Sequence, residues 1–205
     1  MKHTDAYLDV RHSEARGTSR LYQQTWKPDV QIRAVVLLIH GLGEHSGRYA
    51  HVADHLTRRG FAVYTLDHYG HGKSDGHTGF VDRFSVYLDG VDALLEKAKA
   101  EHPSLPLFLL GHSMGGLIAA TWLLKNKDAV RACVLSGPAL KTDQAPSAFL
   151  LALNRLLSAL VPTLPMIQLD ASGVSRDPAV VEAYVNDPLV FHGKLTARLI
   201  AELSA

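Results

Sequence analysis

A chain of 205 residues with 47% hydrophobic and 20% charged residues reads as one ordinary globular domain, or one domain with an insertion, able to bury a sizeable core. Its formal net charge of +1, with no basic stripe, argues against nucleic acid as a partner. No run reaches the roughly 18 apolar residues of a membrane span, and the polar start MKHTDAYLDVRH lacks the apolar segment of a signal peptide. The lone cysteine, Cys133, excludes an internal disulfide framework and fits a reducing, cytoplasmic compartment.

The first thirty residues are polar with scattered aromatics, and Arg20–Trp26 reads as an edge strand or hairpin arm closed by Lys27-Pro28-Asp29. Ala34–Ile39, AVVLLI, is continuous and apolar, the pattern of a strand buried on both faces in a parallel sheet. It runs into the glycine-rich stretch His40-Gly41-Leu42-Gly43-Glu44-His45-Ser46-Gly47-Arg48-Tyr49. Such a loop at the carboxyl end of a central strand is where α/β sheets place their sites. Here the backbone N–H of Leu42 is a candidate oxyanion donor. Tyr49, Val52, Ala53 and Leu56 then mark an amphipathic helix ended by Gly60. His51 and His55 sit four apart on its polar face. Val52 stands where a zincin needs glutamate, so no metal site is read there.

Phe61–Leu66 is the next strand, closed by Asp67. Gly72-Lys73-Ser74 imitates the tail of a P-loop, but Asp67 occupies the position of its leading glycine, so phosphate binding is rejected. Tyr87, Leu88, Val91, Leu94, Leu95 and Ala98 form a second amphipathic helix.

Leu107–Ala120, LFLLGHSMGGLIAA, organises the whole chain. A short buried strand enters Gly111-His112-Ser113-Met114-Gly115, and a helix leaves it. A G-x-S-x-G between strand and helix is the context of a nucleophile elbow. The strained turn lifts the Ser113 hydroxyl above the sheet, and the helix aims its free N–H groups, beginning with that of Met114, at the same point. The alternative is a plain βα turn with Ser113 as an N-cap. Ala132–Leu135 is a further short strand, and the alternation of strands and helices predicts a parallel sheet covered on both faces.

After Pro138 the rhythm changes. Residues 1–138 read as the core and 139–205 as a helical cap laid over the active edge. Ala145–Val161 carries an apolar stripe, Phe149, Leu150, Leu153, Leu156, Leu157 and Leu160, which either faces lipid or packs down on the core. Ser175-Arg176-Asp177-Pro178 starts a short helix with Ser175 as its cap. Leu195–Leu203 reads as helix, and no strand is expected after Leu135.

Three motifs occur together: the stretch from His40 to Tyr49, Asp67-His68-Tyr69-Gly70-His71-Gly72-Lys73-Ser74-Asp75-Gly76, and Gly111-His112-Ser113-Met114-Gly115-Gly116. In this order they resemble the monoacylglycerol lipase and lysophospholipase group of the α/β-hydrolases, also labelled serine aminopeptidase S33-like. The resemblance implies an α/β-hydrolase fold with a helical cap and hydrolysis of a lipid ester through an acyl-Ser113 intermediate. It implies Leu42 and Met114 as oxyanion donors, and a loop around Glu44 and His45 that faces the glycerol end of the substrate. No cofactor and no metal are implied.

In such hydrolases the acid and then the histidine follow the serine along the chain. Only His192 follows Ser113, inside the cap stretch, and Asp170, Asp177 and Asp187 read as turn or cap residues. No triad acid or base is therefore assigned, the last core strands are expected to be missing, and the chain as given is expected to hydrolyse esters poorly or not at all. A non-catalytic relative that binds acyl ligands is the alternative. The strand at Ala132–Leu135 would then lie open at the sheet edge, which predicts self-association. An apolar cap helix predicts peripheral contact with membranes.

Overall fold

The structure is a computed structural model that describes residues 1–140 and 148–204. Six strands form one sheet: β1 (Lys2–Arg11), β2 (Thr18–Lys27), β3 (Ala34–Ile39), β4 (Phe61–Leu66), β5 (Leu107–His112) and β6 (Ala132–Ser136). Their spatial order is β1-β2-β4-β3-β5-β6. β3, β4, β5 and β6 run parallel, with Val35 opposite Ala62 on one side and Leu107 on the other. The order doubles back at β3, and at that reversal the loop after β3 and the loop after β5 meet.

All six residues of β3 are buried because the strand is central and covered on both faces. Its side chains alternate between two apolar clusters, as a period of two demands. Val35, Leu37 and Ile39 pack with residues of α2 (Ser85–Glu101) and α3 (Met114–Lys125), among them Leu94, Ile118 and Trp122. Val36 and Leu38 pack on the opposite face with Ala53 of α1 (Ala50–Thr57), Val63 and Trp26. Trp122 is fully buried, and its indole N–H donates to Asp92 of α2 at 2.7 Å, which locks the two helices together.

Of the two readings of Arg20–Trp26, the hairpin arm holds and the edge strand does not. Lys2–Arg11 and Thr18–Lys27 pair antiparallel along their full length, from Lys2 opposite Lys27 to Arg11 opposite Thr18. β2 is an inner strand, bonded to β4 with Gln23 opposite Leu66, and β1 takes the edge. Polar side chains such as Gln23, Gln24 and Thr25 are buried here, so no hydrophobic alternation announced the strand.

The expectation of no strand after Leu135 is also corrected. β6 itself extends to Ser136, and β7 (Pro165–Gln168) pairs antiparallel with β8 (Lys194–Thr196) as a separate two-stranded sheet. Around it stand α4 (Ala148–Leu160), α5 (Pro178–Val185) and α6 (Ala197–Leu203). The helix expected from Leu195 begins at Ala197, because Thr196 ends β8 and caps α6 by accepting from Leu199 N–H. Asp177, not Ser175, caps α5: its carboxylate accepts from Ala179 N–H at 2.9 Å, with Pro178 at the first helical position. Ala145 to Ser147, the expected start of the first helix, lie outside the described residues.

This second group of elements seats on the core through Leu195 and Leu199, which join the main apolar cluster, and through polar contacts. Thr196 donates from its N–H and its hydroxyl to the Gly79 carbonyl, at 3.0 and 2.8 Å. Glu202 accepts from Phe84 N–H at 2.7 Å, and Arg198 donates to the Asp82 carbonyl at 2.8 Å. α4 is turned against its composition. Asn154 and Ser158 are buried, Asn154 donating to the Ala197 carbonyl at 3.3 Å, whereas Leu153, Leu156 and Leu160 are 39%, 55% and 70% exposed. Among the described residues most of the apolar stripe is exposed rather than packed down on the core of this chain. β6 ends the sheet, with Val134 59% exposed, so the edge expected from the sequence is present.

Candidate active site

Ser113 sits between β5 and α3 with φ of 52° and ψ of −118°. Among the described residues it alone of the non-glycine residues has a left-handed φ. Such a conformation costs on the order of 1–3 kcal/mol and persists only where the surroundings over-determine it. They do so here. Ser113 N–H donates to the Ser136 carbonyl at 3.0 Å, and the Ser113 carbonyl accepts from Gly116, Leu117 and Ala139 at 2.9, 3.2 and 3.0 Å. The neighbouring glycines are demanded by contact. A Cβ at Gly115 would lie 2.2 Å from the Ile39 carbonyl oxygen, and one at Gly111 would lie 2.4 Å from that of Gly115. The backbone is thus bound on every side while the side chain makes no capping bond to the helix, so the plain N-cap reading does not hold. Met114 opens α3, and its N–H has no carbonyl four residues back within the helix.

The loop after β3 lies against this turn. A Cβ on Gly41 would stand 3.2 Å from the Ser113 Cβ and 3.5 Å from the His112 ring. Glu44 folds back over it. Its carboxylate accepts from Gly41 N–H at 2.8 Å, from the Tyr49 hydroxyl at 2.6 Å and from Arg48 at 3.2 Å. Burial pushes the Glu44 carboxyl up, but the His40 ring and the bonds from the Tyr49 hydroxyl and Gly41 N–H outweigh it and hold it below the usual carboxylate range. His45 accepts from Gly47 N–H through Nδ1 at 3.2 Å and donates from Nε2 to Asp187 at 2.9 Å. Arg48 lies over the Tyr184 ring, 4.7 Å from its centroid, and Phe191 N–H donates to the Gly43 carbonyl at 2.8 Å. Three contacts therefore tie this loop to α5 and the segment that follows it.

Beneath the loop lies a buried histidine cluster. The rings of His40 and His68 are 4.2 Å apart and those of His40 and His71 are 5.4 Å apart. Burial lowers the basicity of all three; for His71, burial together with the neighbouring His40 brings the pKa to about 4. Asp67 knits the two glycine-rich loops together. It accepts from the N–H and hydroxyl of Ser46 and from Lys73 N–H, while its carbonyl accepts from the Ser74 hydroxyl.

Matched against protein families, residues 30–205 fit the model described as serine aminopeptidase, S33. The chain belongs to that family. A monoacylglycerol lipase of Mycolicibacterium smegmatis is 43% identical over 187 residues, which is 91% of this chain and 67% of that protein. The human monoglyceride lipase is 34% identical, over 90% of this chain and 61% of that protein. Among solved structures, the monoacylglycerol lipase of Paleococcus ferrophilus superposes with a TM-score of 0.77 at 35% identity, covering 90% of this chain and 68% of that one. The chain thus spans about two thirds or less of the curated relatives' length. The observed sheet flanked by helices is the α/β-hydrolase fold that these relatives share.

In this S33 chain the polar groups of Glu44 and His45 are already engaged by the loop itself and by Asp187. His192 is exposed, with its ring edge-on to Tyr184 at 5.6 Å. Asp170 caps the short turn Ala171–Val174, and Asp187 accepts from Leu189 N–H besides its bond to His45. Among the described residues no imidazole is recorded bonded to the Ser113 hydroxyl; the adjacent His112 pairs with Ser136 at 3.2 Å. Sequence reasoning overlooked Asp67, His40, Arg48 and Tyr49. The signal for Asp67 was there, a carboxylate closing a buried strand between two glycine-rich loops. Arg48 and Tyr49 find Glu44 within the same loop, and His40 and Arg48 also meet His68 and Tyr184 from elsewhere in the chain.

Proposed function

We propose that the chain is a carboxylic ester hydrolase of the monoacylglycerol lipase or lysophospholipase type. The single observation that carries this reading is the left-handed Ser113, whose backbone is fully tied and whose hydroxyl is not spent on capping. The Ser113 Oγ attacks the ester carbonyl, and the alcohol portion leaves as acyl-Ser113 forms. Water then hydrolyses that ester. The tetrahedral oxyanion accepts from the N–H groups of Leu42 and Met114, each worth about 10²- to 10³-fold in rate. Glu44 and His45 shape the glycerol end of the pocket as positioning residues. Residues 139–205 act as the cap, and the names of the relatives support a lipid ester as substrate.

The outward stripe of α4, together with exposed Met166, Ile167 and Leu169, supports peripheral contact with a membrane surface from the cytoplasmic side. Among the described residues no helix is long and apolar enough to cross one. The open edge of β6 supports self-association.

No acid and no base are assigned within these 205 residues. Loss of a triad histidine costs about 10⁶ in kcat, and the oxyanion hole with binding alone leaves roughly 10³–10⁴ over water. The second reading is an acyl-ligand-binding chain without turnover. The test is release of fatty acid from a monoacylglycerol by this chain beside Ser113→Ala. Turnover that disappears in the variant supports hydrolysis and places a base within these residues. Turnover no greater than that of the variant supports the second reading.

A further inference from the structure

We infer that His40 is a positioning residue that aims the Leu42 N–H at the oxyanion site. This rests on the proposed role of Leu42 as an oxyanion donor. The argument is one of peptide planes. In a trans peptide the carbonyl and the following N–H point in opposite directions, so whatever grips the Gly41 carbonyl also orients the Leu42 N–H. His40 grips it. The His40 Nδ1 lies 2.8 Å from the Gly41 carbonyl oxygen, and its Nε2 accepts from His68 N–H at 2.9 Å. A nitrogen that accepts from a backbone N–H carries no proton, so the proton of the neutral ring sits on Nδ1 and is donated to Gly41. The ring is completely buried, without water to replace either bond.

The preceding peptide is held just as firmly. Gly41 N–H is taken by Glu44, and the His40 carbonyl faces His68 Nε2 at 3.3 Å. Gly41 N–H is therefore spent, and Leu42 N–H, one peptide beyond the Gly41 that a Cβ would press to 3.2 Å from Ser113 Cβ, donates in none of the bonds among the described residues. His68 is in turn placed by its Nε2 bond and by the edge of Tyr87, 5.4 Å away. One buried imidazole thus bridges the loop after β4 to the peptide that presents the donor.

Two variants separate the ring's two bonds. His40→Asn keeps an N–H donor near the Nδ1 position and gives up the Nε2 acceptor; His40→Gln carries its amide toward the Nε2 end and gives up the donor. The first readout is the orientation of the Leu42 N–H vector from residual dipolar couplings, which needs no catalysis. The coupling should change in His40→Gln and stay near wild type in His40→Asn. The second is hydrolysis of a soluble short-chain monoacylglycerol, where His40→Gln should lose about 10²-fold in kcat with KM retained and His40→Asn should recover most of it. An unchanged Leu42 coupling in His40→Gln, or equal losses in both variants, overturns the inference. If the unaltered chain shows no Ser113-dependent turnover, as expected where no base is assigned, the coupling alone decides for His40. If His40→Gln does not fold, ¹⁵N-histidine spectra of the unaltered chain decide: a proton on Nδ1 supports the inference and one on Nε2 overturns it.

Discussion

Lowering the pH from 7 toward 4 should destabilise this protein well before its carboxylates protonate. His71 is 5% exposed, and His40 and His68 are essentially inaccessible. Burial disfavours the charged form of all three, so they stay neutral in the folded chain while the unfolded chain takes up protons below 6.5. Stability linked to His71 is fully present above 6.5 and lost as the pH falls to its folded value of about 4. At 1.36 kcal/mol per unit, the gap of about 2.5 units is worth roughly 3 kcal/mol, of which about 2 are gone by pH 5. His40 and His68 shift in the same direction, so the whole cluster should lose more. Against a total stability of about 5–15 kcal/mol, this is a large share. Glu44 and Asp187, whose carboxyls lie below their ordinary range, contribute stability that fails only at lower pH, below about 4.5. The assay is urea unfolding followed by tryptophan fluorescence between pH 7 and 4.5, with His71→Phe beside the wild type. A midpoint that does not move between pH 6.5 and 5, or a slope equally steep in the variant, would refute the assignment to these buried rings.

Gly115→Ala would drive a Cβ to 2.2 Å from one backbone carbonyl and 2.4 Å from the next, so it should destabilise by about 3 kcal/mol or prevent folding, read from urea denaturation. Trp122→Ala empties a fully buried site and orphans Asp92, and should cost about 3–5 kcal/mol in the same assay. Glu44→Gln keeps an acceptor for Gly41 N–H and should hold most of the ester turnover, whereas Glu44→Ala frees that N–H and should lower kcat about tenfold or more. Leu156→Glu, on the exposed face of α4, should change stability by less than about 0.5 kcal/mol while weakening co-sedimentation with lipid vesicles.

Local pattern carried the reading of β3, of α2 and of the elbow, because in each the signal is contained in the segment. AVVLLI has to be a doubly covered strand, since its apolar side chains leave no face for water. G-x-S-x-G between strand and helix specifies a turn whose steric demands are met by its own glycines and the strand beside it. Ser113, with Leu42 and Met114 as its proposed donors, was singled out for the same reason. β1 was not legible, since it is largely exposed, and β2 was legible only in part, since it buries polar side chains such as Gln23, Gln24 and Thr25.

The outward turn of α4 was equally hidden. Its leucines suit either face, and the choice falls to Asn154 and Ser158 finding Ala197 and Arg198 across a gap of some forty residues. The short strands β7 and β8 exist only because they pair with each other. The sequence by itself thus determined the parallel strands, the family and the strained turn at Ser113, because those follow from hydrophobic period and backbone sterics acting over a few residues. Only the tertiary structure decided what Glu44, His45 and His40 do. Their polar atoms are satisfied by groups brought together from Gly41, Tyr49, His68 and Asp187, and a buried donor or acceptor takes its role from the partner the fold places within reach.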